Sequence, residues 1–456
     1  MSRIRPSHPA GRTARHAVSR RASRLRRTAI VAIALCGLLG LTAGVVRVQA
    51  EGRGHRGWAA SRAAFYGGDH HRRWAAHRPA STTLVTTTAP PATSTPTTAA
   101  PATAPQATTP PASPVPSTPA PSSCAPIRIT SGGTYSGCYT SSSTGTPAVT
   151  LATAQPVKLD HARVIAKGYG VQDTVSGTRL TVVDSTFEQR DPGAVVTHRA
   201  IELQQPASFV AEHNRFSDGD GIWIGGGTVD PLTVRDNLAA NIGRYPHPTS
   251  GNCCVQFLQL DSVRTPAGEI AWNHVQNTSG RSGVEDNLNL FQSGGTDSAH
   301  RVDIHHNLID GAYPRSPSDT GFTGGGIMGS DGSGSFGHTN VHDNTVVSTT
   351  NYGVAAAAGT DVHLDDNLLV NDTLGSDGGT HYFSSFGQAI SAHDTSGSTA
   401  SGNRQNWRRA ASGTHFPCWT GPMCSGVSAV STTEQQARDA WAASVPASAQ
   451  PIGPRS

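Results

Sequence analysis

Carboxylates stand at the ends of short apolar runs in the middle of this chain. Asp218 and Asp220 precede Gly221–Ile224, Asp261 follows Val255–Leu260, and Glu285 and Asp286 precede Asn287–Leu290. Two carboxyl groups brought to one substrate can divide acid and base roles, and a cluster of them can hold calcium. Asp220, Glu285 and Asp286 are therefore the candidate catalytic residues, and calcium is the one cofactor the acids suggest. Trp223, Gln256, Asn289, Tyr313 and Arg315 lie on or near the same runs. Aromatic rings offer apolar faces to sugar rings, while amides and charged groups hydrogen-bond hydroxyls, so these five are the candidate substrate-binding residues. For any one acid taken singly, turn capping outweighs catalysis by about two to one. Their recurrence is what favours a site.

For these runs to share a site, they must stack. From about Lys158 onward a motif recurs in which an alternating apolar run carries an Asn, often after Asp or His, and then an apolar residue. The copies are Ala211–Phe216, Val234–Leu238, Ile270–Val275, Ile304–Ile309, Val341–Val346 and Leu364–Leu369, with an earlier one at Leu180–Phe187 where Asp184-Ser185 replaces the Asn. The successive asparagines are 23, 36, 34, 37 and 23 residues apart, so the element is constant and the loops are not. A unit that buries its apolar face only against its neighbours, with insertions between copies, is a solenoid turn. The Asn suits a sharp turn that needs left-handed backbone angles, and its amide can bond the same amide one coil away. A second strand per coil is read at Gly221–Ile224, Val255–Leu258, Asn287–Leu290, Gly326–Gly329, Gly353–Ala356 and Gln388–Ser391.

Alternation on these strands places Ile222, Ile224, Leu288 and Leu290 inside and Trp223, Asn287 and Asn289 outside. Gln256 and Gln259, three apart, cannot both face outward on a regular strand, so a bulge or strand end is expected there. Adjacent His305 and His306 point to opposite faces of a strand and do not make a zinc site.

The fold class predicted is all-β, a parallel β-helix of about ten coils over residues 124–430. Ser431-x-x-Glu434 followed by helix formers and Trp441 predicts a short C-terminal helix, over 431–456 with its tail, that caps the last coil. Ahead of the domain the chain changes character. Nine arginines precede an uncharged, mostly apolar run from Thr28 to Val46, and Val48-Gln49-Ala50 has the small residues of a cleavage point. Residues 1–50 are read as a signal peptide or an uncleaved anchor, 51–80 as a basic juxtamembrane segment, and 81–123, which lack any charged residue, as a disordered Thr/Pro-rich stalk. The rest is then extracellular or held at the outer face of the membrane.

Charge divides along the same line. Only Glu51 and Asp69 are acidic in the first 80 residues, so the formal charge of +4 over the whole chain conceals an acidic domain that gives no support to nucleic-acid binding. Six of the seven cysteines lie beyond the apolar run, which in an exported chain favours disulfides. Proximity pairs Cys124 with Cys138 and Cys418 with Cys424, while adjacent Cys253 and Cys254 could bond only under strain.

The Asn-turn repeat over about residues 150–410 resembles the pectin-lyase-like superfamily of right-handed parallel β-helices. More narrowly, Gln256–Leu260, Glu269–Asn273, Val284–Asn289 and Gly324–Ile327 resemble uncharacterised secreted actinobacterial β-helix proteins. The resemblance implies polysaccharide as partner, and either hydrolysis by paired Asp or elimination by a Lys or Arg base with calcium. The superfamily's hydrolase elements, Asn-Thr-Asp, an Asp-Asp pair and Gly-His-Gly on successive coils, are absent from the corresponding strands. Lys158 and Lys167 are the only lysines and lie far from the acids, which leaves Arg264, Arg281 and Arg315 as candidate bases. The expectation is an exported, monomeric, surface-associated lyase or glycoside hydrolase, with a non-catalytic adhesive module as the alternative.

Overall fold

The computed structural model describes residues 117–118, 124–190, 199–243, 255–313, 324–332, 336–371, 386–390, 395–407 and 426–456. The expected signal or anchor, the juxtamembrane segment and nearly all of the stalk lie outside them, as do Arg315, Cys253, Cys254, Cys418 and Cys424. No helix among the described residues is long and apolar enough to cross a membrane.

The described chain is a parallel β-solenoid. From the third to the ninth coil each contributes strands to three sheets, one more than the sequence pattern suggests, because the run read as one strand bends at its Asn, or at Ser185 in the earliest copy; in the first two coils Gly133–Ser141 and Pro156–Ala166 run unbroken through the bend. Coil seven shows the plan: Val302–His305 belongs to sheet one, Leu308–Ala312 to sheet two and Asp286–Phe291 to sheet three. Each pairs in parallel with its counterparts in the coils before and after. Sheet three has ten such strands among the described residues, from Ile127–Ile129 to Phe386–Ile390, which agrees with the ten coils expected.

The bend is where sequence becomes architecture. Asp184, His213, Asp236, Trp272, His306, Asp343 and Asp366 all adopt positive φ, between 50° and 59°. Each stands immediately before the repeat's Asn, or before Ser185 in the earliest copy. The left-handed residue is thus the predecessor and not the Asn itself, as the sequence reading had placed it. A left-handed residue costs roughly 1–2 kcal/mol in an L-amino acid, and the Asn offsets that cost with hydrogen bonds. Asn307 Oδ1 accepts from the main-chain N–H and the Nδ2 of Asn273, at 3.0 and 2.9 Å. Its own Nδ2 donates to Asn344 Oδ1 at 2.9 Å and to the Ile270 carbonyl at 2.8 Å. The same pattern links Asn214, Asn237, Asn273, Asn307, Asn344, Asn367 and Asn403, all buried. Ser185 begins the ladder, its N–H donating to Asn214 Oδ1.

Inside the coils, apolar residues stack in register. Ile201, Ile222, Leu258, Leu288, Ile327 and Val354 form one inward row of sheet three, and Phe187 and Phe216 stack face to face at 4.9 Å. The Cys124–Cys138 disulfide ties the approach to the first coil onto the strand Gly133–Ser141.

The C-terminal helix forms, but its start and its place differ from expectation. Thr433 is the N-cap, with Gln436 completing a reciprocal capping box, so the same pattern acts two residues later than Ser431-x-x-Glu434. Glu434 is thereby free to turn inward and accept from Ser348 Oγ. The helix, Glu434–Ser444, does not cover the end of the last coil. It lies along the flank, packing Ala437, Trp441 and Val445 on Leu308, Val347, Leu368 and Val370 of sheet two. These outward apolar residues would otherwise face water, which explains the placement. The edge beyond the last coil is met instead by Val427–Ala429, which pairs with Asn403–Trp407. After the helix the tail runs back toward early coils: Gly453 N donates to the Asp236 carbonyl, and Arg455 forks onto both oxygens of Asp184.

Replacing Asn307 with Leu preserves volume but strands two donors of Asn273, one acceptor of Asn344 and the Ile270 carbonyl. Stranded buried groups cost about 1–3 kcal/mol each, so the urea midpoint is expected to fall by the equivalent of about 3 kcal/mol or more.

Candidate functional site

The residues singled out from sequence converge on the outer side of sheet three. Two rows run across the coils. In the first, Arg199 is in register with Asp220, Gln256 stands level with Asp220, and Asp286 follows, in register with Gly325. In the second, Glu202, Trp223, Gln259, Asn289 and Met328 succeed one another. Members of the two rows are three residues apart in every coil. They nevertheless share a side, because Gln256 precedes the strand Leu258–Thr265 and does not obey its alternation. The hydrogen bond from Asn289 Nδ2 to Asp286 Oδ2, at 2.7 Å, shows the same geometry one coil on.

Asp220 is buried, and its Oδ2 has no hydrogen-bond partner among the described residues. Burial raises its pKa to about 7 against the opposing pull of the Arg199 guanidinium. Gln256 Nε2 donates to Glu285 Oε2 at 3.0 Å, which fixes the amide and leaves its Oε1 without a partner. Asn289 is fixed likewise by Asp286, leaving its Oδ1 bare, and Gln259 Oε1 is bare as well. Four buried acceptor oxygens without donors thus lie on neighbouring rungs of one face. A buried polar atom without a partner costs on the order of 1–3 kcal/mol, so the patch costs stability that a donor-bearing ligand would restore.

Asp286 is held from two sides. Burial and then the negative charge of Glu285 push its pKa well above the ordinary carboxylate range. The Tyr352 hydroxyl donates to its Oδ1 from two coils away. Gly325 makes this reach possible, since a Cβ there would lie 2.3 Å from Asp286 Oδ1 and 2.5 Å from Tyr352 Cζ. A glycine is required by that close approach. Burial, followed by Asp286, raises the Tyr352 pKa as well.

Trp223 is the half-buried aromatic of the second row. Its indole lies over Gly225, where a Cβ would sit 2.0 Å from the ring, and the Arg199 guanidinium is 5.2 Å from the ring centroid. The ring is therefore rigidly placed. Tyr313, expected as an accessible platform, is instead buried against Gly311, while its carbonyl accepts from Val284 N. Asn287, expected outside, is fully buried at a corner, accepting from Asn277 Nδ2 and donating to the Gly311 carbonyl. Asn287 stands at the entry to sheet three, a corner where strand alternation does not hold, whereas Tyr313, expected in a surface loop, directly follows the sheet-two strand Leu308–Ala312.

Asp218 adopts positive φ at a turn, and Asp261 accepts from neighbouring Ser262 Oγ at 3.1 Å. Of the arginines weighed as bases, Arg264 has its pKa lowered by burial and stacks 4.6 Å from Phe336, whereas Arg281 is exposed. A hard cation such as calcium takes carboxylate and amide oxygens, and Asp220, Gln256, Gln259 and Asn289 offer that chemistry with a single charge. Asp160, His161 and Asp184 also come together, within 4.8 Å, but Lys158 and Arg455 already neutralise the two acids. Tyr352, Gln259 and Gly325 were not marked by spacing; only the glycine run Gly324-Gly325-Gly326 hinted that something must pass close there.

No family model, no curated protein and no solved structure matches the chain.

The raised pKa of Asp220 gives a testable sign. A carboxyl whose pKa rises on folding stabilises the fold by its proton below its ordinary value of 3.8, and that stability is lost as pH climbs through about 7. Asp220→Asn removes the titration. Thermal melts of the variant are expected to match the parent near pH 4, to exceed it by a margin that grows as pH climbs to about 7, and to keep that margin above it.

Proposed function

We propose that this chain is an exported, surface-associated right-handed β-helix whose sheet three takes up polysaccharide. The observation that carries the reading is the row of buried acceptors without donors, Asp220, Gln256, Gln259 and Asn289. Sugar hydroxyls are donors that satisfy such a row, and the flat indole of Trp223 offers a sugar its apolar face. The right hand of the coil follows from the general rule for crossovers between parallel strands of one sheet. The resemblance to pectin-lyase-like repeats points to the same class of ligand, and the apolar run of residues 28–46 supports export.

Hydrolysis is the reaction the row supports best. Asp220 and Asp286 stand two rungs apart, about 10 Å along the sheet, just beyond the roughly 6.5–9.5 Å at which an acid and a base act with inversion. The raised pKa of Asp220 suits the acid's part near neutrality. The alternative, a non-catalytic adhesive module, is favoured by the hydrogen bonds that already engage Glu285 and Asp286.

Incubation of the purified chain with neutral and acidic polysaccharides separates these readings. Hydrolysis predicts new reducing ends that are lost, by at least a hundredfold in rate, in Asp220→Asn. Elimination would instead yield unsaturated ends, and retention on a glycan column without product supports the adhesive reading. Failure to bind any glycan would sink the proposal.

A further inference from the structure

The resemblance that suggested a polysaccharide suggests an acidic one, but the charges and donors on this face argue otherwise. Glu202, Asp220, Asp261, Glu285, Asp286 and Asp331 lie on or beside sheet three across five coils, against Arg199 and Arg264. Arg199 is already engaged, 3.6 Å from Glu202 and over the Trp223 ring. The amides of Gln256 and Asn289 add no positive end. Gln256 and Asn289 spend their N–H groups on Glu285 and Asp286, so that what they present is oxygen. Every unpartnered atom in this row is an acceptor.

Resting on the glycan reading above, we infer that the sugar recognised carries a free ammonium group, as in a de-N-acetylated hexosamine polymer, and not a uronate. An ammonium supplies three donors and a positive charge to a place where four acceptors lack donors and negative charge is crowded. A uronate supplies a carboxylate, which finds no bare donor in the row and adds like charge beside Glu285 and Asp286. Burial, and after it the charge of Glu285, already raises the Asp286 pKa. An N-acetylated sugar falls between the two, because its amide has a single N–H and no charge. Asp220, in its ionised form, is the expected partner of the ammonium, and in that pairing it is not the proton donor of hydrolysis. Among the described carboxylates of this face it is the one with a buried oxygen left without a partner, and it lies on the strand that holds Trp223, three residues before it.

The test is calorimetric titration of the full chain at pH 7 with three hexasaccharides: β-linked glucosamine, β-linked N-acetylglucosamine and α-linked galacturonate. The glucosamine hexamer is expected to bind at least tenfold more tightly than the N-acetylated one, with no heat from galacturonate, and to weaken as salt is added. Asp220→Asn should erase most of the preference, and Gln259→Met should weaken glucosamine binding while leaving the melting temperature near the parent's. Equal or tighter binding of the N-acetylated or galacturonate hexamer overturns the ammonium inference and leaves the glycan reading standing. Tight glucosamine binding that survives both substitutions also overturns it, since the charge would then act elsewhere. Absence of binding by all three, and by the neutral polysaccharides above, removes both.

Discussion

The asparagine ladder is the constraint on which everything else in this molecule depends. A solenoid coil must turn sharply between sheets one and two, and the turn is made by a residue forced to positive φ. That residue varies, from Asp to His to Trp, because its backbone and not its side chain is needed. The next residue is Asn in every copy but the earliest, where Ser185 stands. The Asn amide has two donors and two acceptor sites, and in the ladder all four are used, between the coil before and the coil after. A buried polar group is expensive when it is left unpaired and nearly free when fully paired, so the ladder penalises any slip in register by even one residue.

Register in turn decides what the distant sheet three presents. Once the asparagines are stacked and the inward rows of Ile, Leu and Val are aligned, Asp220, Gln256 and Asp286 must fall on successive rungs. Successive asparagines stand 23 to 37 residues apart without disturbing this, because the strands pair in register whatever length of chain joins them. The ladder and the site are therefore opposite in character. In the first, every amide atom is satisfied; in the second, the amides are held by carboxylates so that their oxygens are left unsatisfied.

Charge elsewhere on the solenoid is handled conventionally. Asp361 receives Arg301, His338 and His363, and its pKa is lowered well below the usual range, chiefly by the Arg301 hydrogen bond. Asp184 is gripped by Arg455 and its pKa falls too: although burial acts to raise it, the hydrogen bonds from Arg455 win. Asp286 and Asp220 move in the other direction, since burial dominates and the available cation is shared with Glu202. The returning C-terminal segment belongs to the conventional part. Its helix covers an apolar stripe of sheet two and its tail neutralises Asp184, on a flank away from sheet three.

The repeat of Asn, the alternation around it and the count of coils were all legible in the residues, because they depend on local turn chemistry and on a period that recurs. Cys124 and Cys138 could be paired for the same reason, being close in the chain. Sequence also marked Asp220, Gln256, Glu285, Asp286 and Asn289 as a group. It misplaced Asn287, which sits at a corner where the two-residue period does not apply, and Tyr313, which directly follows the sheet-two strand Leu308–Ala312. It also assigned the helix to the end of the solenoid, because a capping motif says where a helix starts and nothing of what it packs against. Tyr352 is the clearest case of what tertiary structure alone decided. It lies 66 residues from Asp286 and meets it only because the rung between them is a glycine, a contact set by stacking across coils and invisible to any local pattern.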